Sequence, residues 1–420
     1  MSLPQELVDK IIDEIWISAD DPPSNEVIKA ISLISRSWVD RSQRYLFRHI
    51  TFSVVGRQFE RWCNAVAPGP NGVSRHVQSL TIQATGSDGW WINEDLLEQV
   101  LPYFDSFRNV EVFRVLNWNV DPFPPEAIAR CFSPFGQGVR LLQWDPYQHM
   151  TREAWAHIVG LFPRVDHLLL LPGFFPAGLI SNDPVSPLQK RLVFSGDHAA
   201  RYLTGGRVGL RFQEIYARCG TGMTLETLIA IINCDADWLE VLSIAGIRRG
   251  QTFPVQHVLA LNPPAAAMNE SNRHALASFL KGCRALRELS MDWLPVEVTP
   301  ESYLVDAIPG GCIQSLRIMP DRALWEHMWD GSFSGIPSSA LMAPYERMAH
   351  AILRLATRNS GEKISVWYVI PRAPYVMCDP VKDTVIAFWG IVESAVTFGF
   401  QMTEVELQNI ERRDLIFGVA

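Results

Sequence analysis

The residues that could carry chemistry are scattered along the chain and match no known catalytic pattern. The sequence contains no G-x-S-x-G nucleophile elbow, no G-x-x-x-x-G-K-[ST] phosphate loop and no H-E-x-x-H zinc motif. Gly205, Gly206 and Gly209 lack the spacing of a dinucleotide-binding loop and are typical of a turn. These patterns therefore predict neither a nucleophile nor a phosphate-binding loop.

Histidine and carboxylate clusters are equally weak as metal or acid–base sites. His149, His157 and His167 are close in sequence but fall on three different predicted elements, whereas a metal site needs ligands that converge. Asp235 and Asp237 lie in a predicted loop, where solvated charge is the simpler interpretation. We predict no metal, no cofactor and no enzymatic activity. An unrecognised α/β enzyme stays open as an alternative, and it would need a pocket with perturbed titratable groups.

The amino-acid composition is typical of a folded protein and lacks the net positive charge of a nucleic-acid-binding protein. Of the 420 residues, 48% are hydrophobic and 20% are charged, and the net charge is -8. Such a chain lacks the basic footprint that phosphate backbones attract. The seven cysteines are widely spaced without a C-x-x-C pair, which fits a reducing compartment. Because no secretory signal or bilayer-length apolar run is present, we expect an intracellular protein, cytoplasmic or nuclear.

Three short amphipathic helices are predicted in the first fifty residues. The segment LPQELVDKIIDEIW predicts a helix whose apolar face contains Leu3, Leu7, Ile11 and Ile15, widened by Val8 and Ile12. After a loop with two prolines, NEVIKAISLISRSW predicts a second helix with one face formed by Val27, Ile31, Ile34 and Trp38. The segment RSQRYLFRHI predicts a third helix.

Helices this short cannot cover their own apolar side chains, because domains below about 40 residues usually need outside support. Either the following domain or a partner protein must cover the remaining apolar surface. Periodicity alone leaves both possibilities open: an N-terminal cap packed on the next domain, or a module that docks another chain.

The same residues resemble an F-box, in the form common among filamentous and mushroom-forming fungi, over roughly residues 1–52. The resemblance lies in the Leu3-Pro4 opening, the Ser35-Arg36-Ser37-Trp38 run and the Leu46-Phe47-Arg48-His49-Ile50 exit. It implies binding to the small adaptor subunit of a cullin–RING ubiquitin ligase, with an unknown protein substrate held by the rest of the chain. Carried over by position, the adaptor-binding residues would be Leu3, Pro4, Leu7, Ile11, Ile15, Ile31, Ile34 and Trp38. A scaffold that never joins a ligase is the alternative.

Short apolar strands alternate with helical segments through most of the remaining chain. Strands are predicted at 76–84, 109–117, 138–145, 165–172, 191–196, 210–218, 239–246, 286–293, 313–320 and 363–370. Helices are predicted at 92–107, 151–162, 224–234, 273–283, 301–308 and 341–358. An L-x-x-L-x-apolar motif recurs at 239–244 and 286–291, and a related one lies at 313–318.

This alternation resembles degenerate leucine-rich repeats, which build a curved solenoid. An ordinary α/β domain with a parallel sheet would show the same alternation and is the alternative. We therefore predict an α/β fold with three parts. These are a three-helix F-box-like module at 1–52, an irregular leucine-rich-repeat-like domain at 53–375 and a helical cap at 376–420.

Overall fold

The chain folds into two compact units, Met1–Phe175 and Pro176–Ala420, in a computed structural model. The structure describes residues 4–17, 25–53, 72–83, 103–116, 124–144, 152–170, 190–195, 203, 211–218, 225–245, 270–291, 305–318, 338–359, 363–370, 390–392 and 396–402. The division between the two units falls after residue 175.

The first unit opens with three helices that share a small core. Helix α1 spans Gln5–Ile17, α2 spans Asn25–Ser32 and α3 spans Arg36–Leu46. We call their core the inner cluster: it consists of the buried side chains Val8, Ile12, Ile28 and Ile31, against which Trp38, Tyr45 and Leu46 pack. The prediction of three N-terminal helices is thus confirmed, although their boundaries differ.

The predicted helix over 25–38 is in fact two helices. The amides of Leu33 and Ile34 donate to the carbonyls of Ala30 and Ile31, which tightens the chain into a turn. The Ser32 hydroxyl also donates to the Lys29 carbonyl at 2.6 Å, a local bond that competes with helix continuation. Trp38 consequently lies on α3 and not on the helix that carries Ile31.

Five parallel strands follow in chain order within the first unit. They are β1 His49–Ser53, β2 Ser79–Gln83, β3 Val112–Leu116, β4 Leu141–Trp144 and β5 His167–Leu170. Each strand pairs with the one before it. A 3-10 turn at Val73–His76 precedes β2, and helices α4 Pro125–Gly136 and α5 Arg152–Gly160 connect the later strands.

The second unit repeats this arrangement with seven strands. They are β6 Arg191–Ser195, β7 Glu214–Arg218, β8 Val241–Ala245, β9 Glu288–Met291, β10 Ser315–Ile318, β11 Ile364–Ile370 and β12 Val396–Met402. All neighbours are parallel. The connecting helices are α6 Leu225–Ile232, α7 Glu270–Gly282 and α8 Ser338–Arg358, and a 3-10 turn at Asn233–Asp235 follows α6.

A repeated hydrogen-bond pattern fixes the register at the start of the strands. The carbonyl of Arg48 accepts bonds from the amides of Gln78 and Ser79, and the Gln78 carbonyl accepts from the next two amides of the series, on Glu111 and Val112. The same pattern recurs in the second unit, where Lys190 accepts from the residues that begin β7. Strands therefore stack residue over residue, which aligns the apolar position of each repeat.

The aligned apolar position builds the core in both units. In the first unit it is occupied by Leu80, Phe113, Leu142 and Leu168, and in the second by Leu192, Ile215, Leu242, Leu289, Leu316 and Val366, all of them buried. The L-x-x-L-x-apolar motifs supply three of these leucines. Phenylalanines extend the core of the first unit from β3 to the neighbouring helices and turns, in tilted and edge-to-face contacts with ring centroids 5.0 to 6.3 Å apart: Phe104, Phe107, Phe113, Phe132, Phe135 and Phe162.

All ten predicted strands are present, together with two further strands: β1, whose first two residues fall in a predicted helix, and β12, which lies in the predicted helical cap. Strand β1 begins where the third helix was expected to continue, because α3 ends at Leu46 and the chain pairs with β2. Strand β12 lies inside the expected helical cap at 376–420 and pairs with β11 over its whole length. Its residues VTFGFQM include β-branched and aromatic types that favour strands. Of the rest of that cap, only a helical turn at 390–392 is described.

Candidate docking surface

Exposed apolar side chains concentrate in the three N-terminal helices. Among the described residues, the large hydrophobic side chains that are exposed are Leu7, Ile11, Val27, Leu33, Ile34 and Trp238. All but Trp238 belong to the first two helices and the turn after them. Contiguous exposed apolar surface on a folded protein marks sites of interaction.

Helix α1 carries two apolar stripes, one inside and one outside. Val8 and Ile12 are buried in the inner cluster, whereas Leu7 and Ile11, one residue earlier in each case, are 48% and 38% exposed. Pro4 is exposed at the start of the same outer stripe. We call Pro4, Leu7 and Ile11 the outer stripe.

A second exposed apolar group lies on α2 and the turn that follows. Val27 is exposed on the helix, Leu33 is 85% exposed and Ile34 is 62% exposed. The small side chain of Ala30 lies between them on the sequence and is also exposed. Val27 was predicted on the apolar face of the second helix, but neither it nor Leu33 was among the adaptor-binding residues carried over by position from the F-box resemblance.

A polar clamp joins α1 to α3 beside the inner cluster. The Arg41 guanidinium donates to both oxygens of the Asp13 carboxylate, with Nε 2.7 Å from Oδ1. The Tyr45 hydroxyl donates to the same Oδ1 at 2.6 Å. The bonds from Arg41 hold the pKa of Asp13 below its usual value, and burial together with the bond to Asp13 raises the pKa of Tyr45 to about 12.

Helix α3 also contacts the first strands. The Asp40 carboxylate pairs with Arg75 of the 3-10 turn, and His76 Nε2 lies 3.7 Å from the same oxygen. Both partners of the Asp40–Arg75 pair are half-exposed, so the pair itself contributes little. The covalent connection between α3 and the sheet constrains α3 more strongly than this ion pair, because β1 begins three residues after α3 ends.

The structure divides the predicted adaptor-binding residues among three environments. Pro4, Leu7, Ile11 and Ile34 are exposed, as a docking surface requires. Ile31 is only 8% exposed because it belongs to the inner cluster. Trp38 is half-buried and packs against that cluster. Leu3 lies outside the described residues, as does the side chain of Ile15.

The histidines, aspartates and glycines that the sequence analysis considered as catalytic or ligand-binding candidates do not all lie within the described residues. His157 lies on α5 within 3.0 Å of the Pro125 carbonyl, and His167 is buried on β5. Asp235 is fully buried and accepts a bond from the Phe212 amide at 3.1 Å, so it is not the solvated loop residue that the sequence predicted. His149 and the three glycines at 205–209 lie outside the described residues.

The described part of the chain contains no assembled metal site. No group of three or more His, Cys, Asp or Glu residues there is placed to hold a metal ion. Burial raises the pKa of the Cys131 and Cys283 thiols to about 12, which keeps both protonated at neutral pH, whereas Cys234 and Cys312 are exposed. Within the described helices, none combines the length and the apolar character needed to cross a membrane.

Strand order and register make this an α/β protein with a leucine-rich-repeat-like fold, fronted by a three-helix module that exposes apolar side chains. No family model matches the chain, and no curated protein matches it. Among solved structures, it is similar to the leucine-rich repeat-containing protein LegL7 from Legionella pneumophila. That similarity has a TM-score of 0.41 and 12% sequence identity, over 84% of this chain and 91% of that chain.

Proposed function

We propose that the N-terminal module docks the small adaptor subunit of a cullin–RING ubiquitin ligase, while the repeats hold a protein to be ubiquitinated. The observation that carries this proposal is the exposure of Leu7, Ile11, Val27, Leu33 and Ile34 on one small module. A three-helix module of this size gains stability when a partner covers such surface. The resemblance of residues 1–52 to an F-box indicates that this partner is the ligase adaptor subunit.

The chain itself would perform no covalent chemistry in this role. It would act by effective concentration, because holding a target beside a conjugating enzyme turns an encounter between two free proteins into a local one. The parallel repeats suit this task, since stacked repeats present extended surfaces to other proteins.

The outer stripe provides the decisive test. Leu7→Asp is expected to weaken binding of the purified adaptor subunit to the full chain by about 10- to 100-fold, measured by calorimetry. The reason is that covering a leucine contributes about 1.5–3 kcal/mol, and each 1.4 kcal/mol is tenfold in affinity. Trp238→Asp is the matched control, because Trp238 is similarly exposed but lies in the second unit.

Full binding by the Leu7→Asp variant, or no binding by the unmodified chain, would contradict the docking proposal. Trp38→Ala is a poor substitute, because Trp38 packs on the inner cluster and its loss would weaken the fold and the surface together. Addition of cullin to the adaptor complex separates a ligase subunit from a scaffold: a ligase subunit carries cullin into the complex and a scaffold does not.

A further inference from the structure

The two apolar stripes of α1 are close to interchangeable by composition. Leu7 and Ile11 face outward, and Val8 and Ile12 are buried. Neighbouring residues on a helix are turned by about 100° from each other, so a rotation of α1 by one residue would bury Leu7 and Ile11 and turn Val8 and Ile12 out of the core. Apolar burial is non-directional and proportional to area, so it does not favour a Val/Ile pair over a Leu/Ile pair. A directional interaction can add to core packing in selecting which stripe is buried.

The clamp at Asp13 has the directional character that apolar burial lacks. Asp13 follows Ile12 directly and receives both the paired Arg41 bonds and the Tyr45 hydroxyl. The side chains of Asp13 and Arg41 are each about a quarter exposed, so solvent screens the pair only in part. A guanidinium that holds both carboxylate oxygens restricts orientation as well as distance.

The clamp is anchored on an element whose own position is fixed. Arg41 and Tyr45 are one helical turn apart on α3, so they present their donors on the same face. Two residues after α3, the carbonyl of Arg48 accepts bonds from the amides of Gln78 and Ser79 at 3.0 and 2.9 Å. Through α3, the rotation of α1 is therefore set relative to β1 and β2.

We propose that Asp13 is a positioning residue of the docking surface, which fixes the rotation of α1 so that Leu7 and Ile11 face the partner and Val8 and Ile12 face the core. This inference rests on the proposed function for its biological meaning. The rotation itself is measurable without any partner. Buried or partly buried polar groups that select one packing among several are a known source of structural specificity.

Thiol labelling in the full chain measures the rotation. Leu7→Cys and Val8→Cys are made separately, and their reaction with a maleimide is followed by mass spectrometry of the peptide that contains them. In the unmodified background, the position 7 thiol should react about tenfold or more faster than the position 8 thiol, because reaction follows exposure. With Asp13→Asn added, the position 7 thiol should slow while the position 8 thiol accelerates.

The matched control is Asp9→Asn on the same helix. Asp9 accepts a bond from Gln5, four residues earlier on α1, and acts on Arg41 through its charge, so its substitution removes a nearby carboxylate while the Asp13 bonds of the clamp stay in place. Its substitution should leave the ratio of the two labelling rates unchanged. A ratio that stays the same in Asp13→Asn would overturn the proposal. Reaction of both thiols at the rate of the denatured chain would also overturn it, since Asp13 would then hold the module folded without selecting a rotation.

Binding of the adaptor subunit to the Asp13 variants tests whether the rotation of α1 affects docking. Asp13→Asn should weaken binding by about tenfold, which corresponds to ~1.4 kcal/mol, and Asp13→Glu should restore part of it. Absence of binding by the unmodified chain would refute the docking function, while the labelling rates still decide the positioning role. Adaptor binding with unchanged labelling rates in Asp13→Asn would instead refute the positioning role alone.

Discussion

At the scale of single residues, Tyr45 connects the charge state of the clamp to pH. Its hydroxyl donates to the Asp13 carboxylate, and burial followed by that bond raises the pKa of Tyr45 to about 12. The folded state therefore favours the protonated phenol. Its stabilising contribution is complete below the ordinary tyrosine pKa of about 10 and is lost as the pH rises towards about 12.

We predict that Tyr45 ionises late in an alkaline titration of the full chain. Tyrosinate absorbance should contain a component that titrates near pH 12, and Tyr45→Phe should remove it. Tyr103→Phe is the control, since Tyr103 lies outside the clamp, and this variant should keep the component. Persistence of the late component in Tyr45→Phe would mean that another phenol produces it.

Side-chain patterns at the residue scale predicted the apolar character of the module but not its division into core and surface. Leu7 and Val8 are apolar neighbours, and Val8 alone is buried because α2 and α3 pack against its side of α1, a tertiary contact that the sequence pattern does not show. Leu33 was missed for a related reason. Its exposure results from the break between α2 and α3, which periodicity in the continuous apolar segment did not predict.

At the scale of elements, the end of α4 approaches the turn after α5 without space for a side chain. A Cβ placed on Gly136 would lie 2.4 Å from the Leu161 carbonyl oxygen, which is backbone and cannot rotate away. Gly160 ends α5 and would meet nothing within 4 Å. These two helix-terminal glycines therefore differ in their surroundings alone.

We predict that Gly136→Ala destabilises the first unit by about 1–3 kcal/mol, the usual cost of overpacking. Gly160→Ala should change the free energy of unfolding by less than about 0.5 kcal/mol, or raise it slightly. Denaturant unfolding of the full chain, followed by hydrogen exchange of peptides from each unit, measures the difference. Equal effects of the two substitutions would contradict the close approach seen at Gly136.

Helices and strands were predicted correctly where the apolar pattern of the sequence matched the burial of those residues in the folded protein. The ten predicted strands are short apolar runs that the sheet buries, for example Leu242 and Leu289 in adjacent repeats. Helix α4 was not predicted from the sequence. Pro134 lies inside it, and a proline inside a helical pattern predicts the end of a helix. Strand β1 was missed because it follows α3 after only two residues, and β12 because it lies in a long apolar segment that was interpreted as helix.

At the scale of the whole molecule, the N-terminal module cannot be separated from the sheet at residue 52. Strand β1 spans His49–Ser53 and covers the edge of β2 along its full length. A cut at the predicted boundary leaves that edge with unpaired amides and carbonyls, which are prone to pair with other chains. The module and the first repeats share one compact unit.

This overlap yields a prediction from two closely matched truncations. Removal of residues 1–47 keeps β1 and the Arg48 carbonyl that accepts from Gln78 and Ser79, whereas removal of residues 1–53 deletes both. We expect faster hydrogen exchange at 79–83 and more aggregation in the shorter chain, because its β2 edge is open. Equal exchange at 79–83 in the two chains would show that β1 does not protect the sheet.

If the expected difference is found, loss of adaptor binding after removal of 1–53 reports damage to the sheet as well as loss of the docking surface. Leu7→Asp is then the cleaner variant for cellular work, since Leu7 is exposed and lies outside the inner cluster.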